Sequence, residues 1–78
     1  MTRTLAQLNP GNKGKILSIT STHISAKLLE LGFISGSEVE VLFRAPLKDP
    51  IAVELNGCII SLRLDEAVNI IIEEDNQL

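Results

Sequence analysis

Apolar residues along this chain alternate more often than they recur at helical spacing. Lys15 to Thr20 reads KILSIT, rich in β-branched residues, and predicts a strand. Val39, Val41 and Phe43 fall on one face of a second strand, with Glu38, Glu40 and Arg44 mostly on the other. Ile51, Val53 and Leu55 resume the alternation, Asn56-Gly57 marks a tight hairpin, and Cys58 to Leu64 returns. A last strand spans Val68 to Glu74, where Ile70, Ile71 and Ile72 predict burial on both faces.

One stretch follows a helical period. From Ile24 to Leu31, a rotation of about 100° per residue gathers Ile24, Leu28 and Leu31 on one face and leaves Leu29 outside it. Thr22 or Ser25 supplies an N-cap. So short a helix is marginal alone and must be held by packing. Gly32 sits where a left-handed C-cap residue belongs, and Phe33 or Ile34 can fold back on the last turn. Ser35-Gly36 turns the chain into the next strand.

The connections are short. Leu5 and Leu8 predict a helical turn within residues 1–10, ended by Asn9-Pro10-Gly11. Pro46 and Pro50 frame a loop that no central strand tolerates. Asp65-Glu66-Ala67 reads as one turn, and residues 73–78 read as an acidic tail. The pattern predicts a single domain over 1–78, mainly β with a short helical insert. Five to six short strands fit a small closed barrel, since closure removes exposed sheet edges.

Composition narrows the function. Among 78 residues, 45% are hydrophobic, and two phenylalanines are the only aromatics. The net charge of −3 is accounted for by Glu73, Glu74 and Asp75, which leaves the rest of the chain neutral. Nucleic-acid binding needs a basic face or exposed rings for base stacking, and neither is evident. The lone Cys58 excludes an internal disulfide framework and suits a reducing compartment. No apolar stretch has the length of a signal peptide or a membrane span, so the expected location is the cytoplasm, without direct membrane insertion.

A search for chemistry yields little. His23 is the only histidine, and no second histidine or cysteine lies at metal-ligand spacing from it or from Cys58. Gly11-Asn12-Lys13-Gly14 lacks the Lys-Ser/Thr end and following helix of a phosphate loop and reads as a β-turn. No nucleophile and base can be paired, so no enzyme, metal site or cofactor is expected. What remains is surface that packing does not need: Leu29 on the helix, and Leu47 beside Lys48 and Asp49 in the proline-framed loop. A loop of that kind loses little entropy when it is ordered by a partner.

The order of these features strongly resembles the FeoA family of bacterial ferrous iron uptake, over roughly Leu5 to Ile72. The most specific parts are Leu28-Leu29-Glu30-Leu31-Gly32 with Gly36, Ala45-Pro46-Leu47 with Asp49-Pro50, and Leu62-Arg63 with Ala67. The resemblance implies an SH3-like β-barrel and a partner, the FeoB-type ferrous transporter with its cytosolic G domain and membrane portion. It implies recruitment to the inner face of the plasma membrane by that transporter. The expected contact surface is Leu29, Phe33 and Leu47, with Lys48 and Asp49 at the rim. Gly32, Gly36, Pro46, Pro50 and Gly57 are expected to shape the turns.

The family also resembles the C-terminal barrel of iron-dependent repressors. The alternative reading is therefore a ferrous-metal-binding sensor or metallochaperone domain. Two departures stand out: Ser35 replaces a common proline, and Cys58 replaces a common tyrosine. An SH3-type binder of proline-rich peptides would need the aromatic lining this chain lacks. Self-association is left open, because a short aliphatic barrel with an exposed edge can form homo-oligomers.

Overall fold

The computed structural model describes residues 1–75. In chain order these form β1 (Thr2–Thr4), a 3₁₀ turn (Leu5–Gln7), β2 (Lys13–Ile19), α1 (Thr22–Glu30) and β3 (Glu38–Arg44). Then follow β4 (Ile51–Leu55), β5 (Cys58–Leu62), α2 (Leu64–Ala67) and β6 (Ile70–Glu74). The six strands make one antiparallel sheet in the order β1-β6-β2-β3-β4-β5. It curls around an aliphatic core, as an SH3-like domain does. Among the described residues no ladder joins β5 to β1, so the expected closure is not completed and both strands remain edges.

The N-terminal segment differs from the helical turn expected over 1–10. The 3₁₀ turn is there, but β1 precedes it, a three-residue strand too short to show alternation. Thr2 pairs with Glu73 and Thr4 with Ile71, which places Glu73 and Glu74 inside β6 rather than in a solvated tail. Arg3 Nε lies 2.7 Å from Glu74 Oε1, and Asn12 Nδ2 donates to Glu74 Oε2 at 3.0 Å. Residues 76–78 of the expected tail lie outside the described residues.

Alternation fills the interior as expected, with two exceptions. Val39, Val41, Val53, Leu55 and Ile72 are fully buried or nearly so, and Leu5 and Leu8 close the base. Each such side chain contributes about 1.5–3 kcal/mol on burial. The β3 register, however, shifts between Val41 and Phe43, where β4 passes only from Val53 to Ala52. Because side chains alternate, this bulge moves the rest of the strand to the opposite face. Phe43 is therefore 60% exposed instead of sharing the inner face with Val41. Ile71 is only half-buried between two buried isoleucines, so β6 is not covered on both faces.

Beyond the bulge, Arg44 holds the base in place. Its Nη2 donates to the carbonyls of Ala6 (2.6 Å) and Leu8 (2.8 Å), otherwise orphan acceptors at the end of the 3₁₀ turn. Hydrogen bonds from a charged donor are worth about 1.5–3 kcal/mol, so this clamp contributes as much as a core side chain.

The helix enters and leaves the sheet through tight corners. Gly32 has φ +102°, and its N–H donates to the Leu29 carbonyl while the Phe33 N–H donates to that of Leu28. This pair of bonds is a Schellman end. It stops the helix at Glu30 and makes Leu31 the C-cap, which turns Leu31 outward (41% exposed) despite its helical spacing. Ile24 packs half-buried against the core and Leu28 is fully buried. In the same last turn of the helix, Lys27 Nζ reaches Glu66 Oε2 at 2.7 Å, joining α1 to α2.

Gly14 shows how closely the strands approach. A Cβ there would lie 2.8 Å from Ile72 Cδ1 and 2.9 Å from the Glu73 carbonyl oxygen, and the latter is backbone that cannot swing aside. Gly14→Ala should therefore cost about 1–3 kcal/mol, read as a lower denaturation midpoint at unchanged m-value. The Lys27–Glu66 pair predicts a pH effect. Hydrogen bonding by Lys27, and then by the Arg63 N–H, holds the Glu66 carboxyl below its ordinary value of 4.5. A lowered folded pKa gives stability that is present above 4.5 and lost as pH falls through the folded value. Glu66→Gln should flatten the acid limb of the stability profile by less than about 1 kcal/mol, since the lysine is exposed.

Candidate partner-binding surface

The Schellman end fixes which helical side chains are available. With Leu28 turned to the core, Leu29 projects to solvent at 56% exposure. It lines a shallow depression of about 430 Å³ between α1 and β2, with Ile19, Ala26 and Ser35. Ser18 and Ser25 add hydroxyls around apolar walls, and Ile16 and Phe33 underlie it. Phe33 is fully buried, the largest such side chain in the described chain. Its expected place on the contact surface is corrected accordingly. The fold-back that satisfies the helix end carries the ring into the core, where it supports the depression from beneath.

The loop between β3 and β4 is ordered by its own bonds. The Ala45 carbonyl accepts from the Lys48 N–H at 2.7 Å, and the Ala45 N–H donates to the Pro50 carbonyl at 3.0 Å. Pro46 stands at the second position of the resulting turn, where a fixed φ is favourable. Lys48 takes a left-handed conformation, φ +69°, after which the chain returns through Asp49 and Pro50. Leu47 stands at the tip, 90% exposed, and covers no part of the core.

Asp49 is exposed and also makes a structural bond. Its Oδ1 accepts from the Leu64 N–H at 3.0 Å, one of the unpaired donors at the start of α2. The loop carrying Leu47 is thus tied to the second helix. Leu47 is not among the residues that line the Leu29 depression. Lys48 instead borders a separate depression with Ala6, Pro10, Arg44, Leu64 and Val68.

The turn residues sit where the sequence placed them. Gly36 has φ +93°, and its N–H donates to the Ile16 carbonyl at 2.8 Å while Ser37 accepts from the Ile16 N–H. That exchange stitches the corner after the helix onto β2. Asn56 and Gly57, at φ +52° and +83°, form a hairpin turn of the twist that antiparallel strands prefer. Missed by sequence reasoning are the exposed Phe43 and Ile59, because only the β3 bulge reveals that Phe43 leaves the core.

His23 and Cys58 are both exposed, at the start of α1 and of β5. Among the described residues no group of three or more His, Cys, Asp or Glu side chains could hold a metal ion. Nor is any helix among them long and apolar enough to cross a membrane.

Comparison with known proteins accords with this architecture. A Porphyromonas gingivalis Fe(2+) transport protein A/Fe(2+) transporter FeoB fusion protein is 31% identical over 70 residues. The match covers 88% of this chain but only 8% of that protein. An FeoA-like protein from Clostridium acetobutylicum superposes with a TM-score of 0.92 at 29% identity, covering 99% of this chain and 91% of that one. FeoA of Stenotrophomonas maltophilia, a procaryotic SH3 domain protein solved with zinc, gives a TM-score of 0.80 at 28% identity, with 90% and 88% covered. The FeoA domain model matches residues 3–74, nearly all of the sheet and both helices. With a match over nearly the whole chain, this chain belongs to the FeoA family.

Proposed function

We propose that the chain is a non-enzymatic accessory module of bacterial ferrous iron uptake, binding the cytosolic part of a FeoB-type transporter through protein–protein contacts. The observation that carries this reading is the fusion relative, in which a segment like this chain and a FeoB transporter are one polypeptide. A covalent tether raises the effective concentration of two parts that work together, and separate chains reach the same arrangement by a contact surface. The surface proposed is the Leu29 depression together with the Leu47 tip and Lys48. Leu29 and Leu47 expose apolar area that the core does not use, and both are held on rigid supports. A handful of residues carries most of the energy of an interface, and burial of exposed apolar side chains such as these contributes to it. The protein would work in the cytoplasm, at the inner face of the membrane that holds the transporter.

The alternative, a ferrous-metal sensor or metallochaperone, draws support from the zinc bound to a relative. It lacks a clustered donor set among the described residues of this chain. The partner reading is accordingly the better supported.

Two substitutions separate contact from core. Leu29→Glu should keep the melting temperature within a few degrees of wild type. It should weaken binding to the soluble cytosolic part of the transporter at least about tenfold, measured by calorimetry. Phe33→Ala should instead lose about 3–5 kcal/mol of stability, because it empties the core. A Leu29→Glu protein that binds like wild type, or that unfolds, would remove Leu29 from the contact surface.

A further inference from the structure

We propose that the depression bordered by Arg44, Lys48 and the end of α2 takes a carboxylate side chain from an acidic segment of a protein partner, with an adjacent aliphatic side chain against its apolar wall. The inference rests on the transporter reading for Lys48 as a contact and adds the chemistry of what is bound there. The depression encloses about 480 Å³. Ala6, Pro10, Leu64 and Val68 form the apolar wall, and no carboxylate lines it. Val68 is 48% exposed, so it offers apolar area that the core does not use.

The charge of this space runs against that of the chain, which has ten acidic and seven basic residues. Several of its cations are met by carboxylates. Arg3 pairs with Glu74 and Lys27 with Glu66, while Lys13 lines a depression with Glu38, Glu40 and Glu54. Arg44 and Lys48 have no ion pair among the described residues. The neighbouring Asp49 accepts from the Leu64 N–H, and neither it nor Asp65 lines the depression. Two cations beside an apolar wall, without a carboxylate of their own, complement an acidic segment that carries an aliphatic residue.

The guanidinium is also held in advance. Arg44 Nη2 donates to the carbonyls of Ala6 and Leu8, which fixes the head group. Nε and Nη1 make no hydrogen bond among the described residues, yet neither is sealed from solvent. Three N–H groups are thus left for a ligand, on a cation that loses little freedom when it binds. The same geometry selects the anion. With Nη2 spent on carbonyls, no two-nitrogen fork remains of the kind that grips a phosphate bidentately. A carboxylate needs only single charge-assisted bonds to the guanidinium and to the Lys48 ammonium. An anionic membrane surface is read by clusters of about four to eight cations, whereas two line this depression.

The test is a ¹H–¹⁵N NMR titration of the whole labelled chain with the blocked peptide acetyl-Leu-Glu-Val-amide and, separately, its glutamine counterpart. The acidic peptide should give saturable shifts at the Ala6, Lys48 and Val68 amides. The glutamine peptide should bind at least about tenfold more weakly, a comparison made on wild type alone. Lys48→Glu should weaken the acidic peptide at least about tenfold with circular dichroism unchanged, and added salt should weaken it in wild type. Inorganic phosphate and phosphatidylglycerol vesicles are titrated in parallel. The proposal is overturned if the acidic peptide gives no saturable shift at those positions, or if the glutamine peptide or Lys48→Glu binds as well. It is equally overturned if phosphate or the vesicles produce the same shifts at lower concentration. The peptide contains no transporter sequence, so its failure leaves the outcome of Leu29→Glu with the transporter untouched.

Discussion

The hydrogen bond from the Phe33 N–H to the Leu28 carbonyl, made possible by the left-handed Gly32, fixes most of what is distinctive in this molecule. It ends the helix after Glu30 and folds the chain back, which delivers Phe33 to the core. In a chain with two aromatic rings, committing one to the interior anchors an insert too short to be helical alone. The same bond fixes the rotation of α1. Leu28 must face inward, so Leu29 must face out. Core and candidate surface are two sides of one local constraint.

The rest of the scaffold serves to hold segments that regular pairing does not. Arg44 closes the base of the core by donating to the carbonyls of Ala6 and Leu8. Asp49 secures the β3–β4 loop by accepting from the first N–H of α2. Lys27 and Glu66 connect the two helices. These are single polar contacts at the ends of elements, where backbone groups lack partners. A domain of this size has little apolar surface to spare, so such contacts set how rigidly Leu29 and Leu47 are presented.

Much of this was legible in the residues. The alternating runs of β3 and β4, the Asn56-Gly57 hairpin and the Gly32 cap each follow from a local rule, and the structure has all of them. The resemblance to FeoA proteins rested on those corners and is upheld by the family match. What could not be read depended on tertiary context. A bulge is invisible in the sequence, so alternation puts Phe43 on the face of Val39 and Val41, although it faces solvent. β1 is too short to alternate, and without it Glu73 and Glu74 resemble a tail. At the candidate site, helical spacing found Leu29 and proline framing found Leu47. It could not show that Phe33 lies beneath the surface or that Asp49 is engaged with α2.

The proposed role of this small SH3-like domain is to present Leu29 and Leu47 to a FeoB-type transporter. The most direct measurement is a ¹H–¹⁵N NMR titration of the labelled chain with the soluble cytosolic part of a FeoB-type transporter. Shifts confined to the backbone around Ile19, Ala26 to Leu29, and Ala45 to Lys48 are the predicted result. Saturation without any change at those positions, or shifts confined to Phe43 and Ile59 on the outer sheet face, would contradict it.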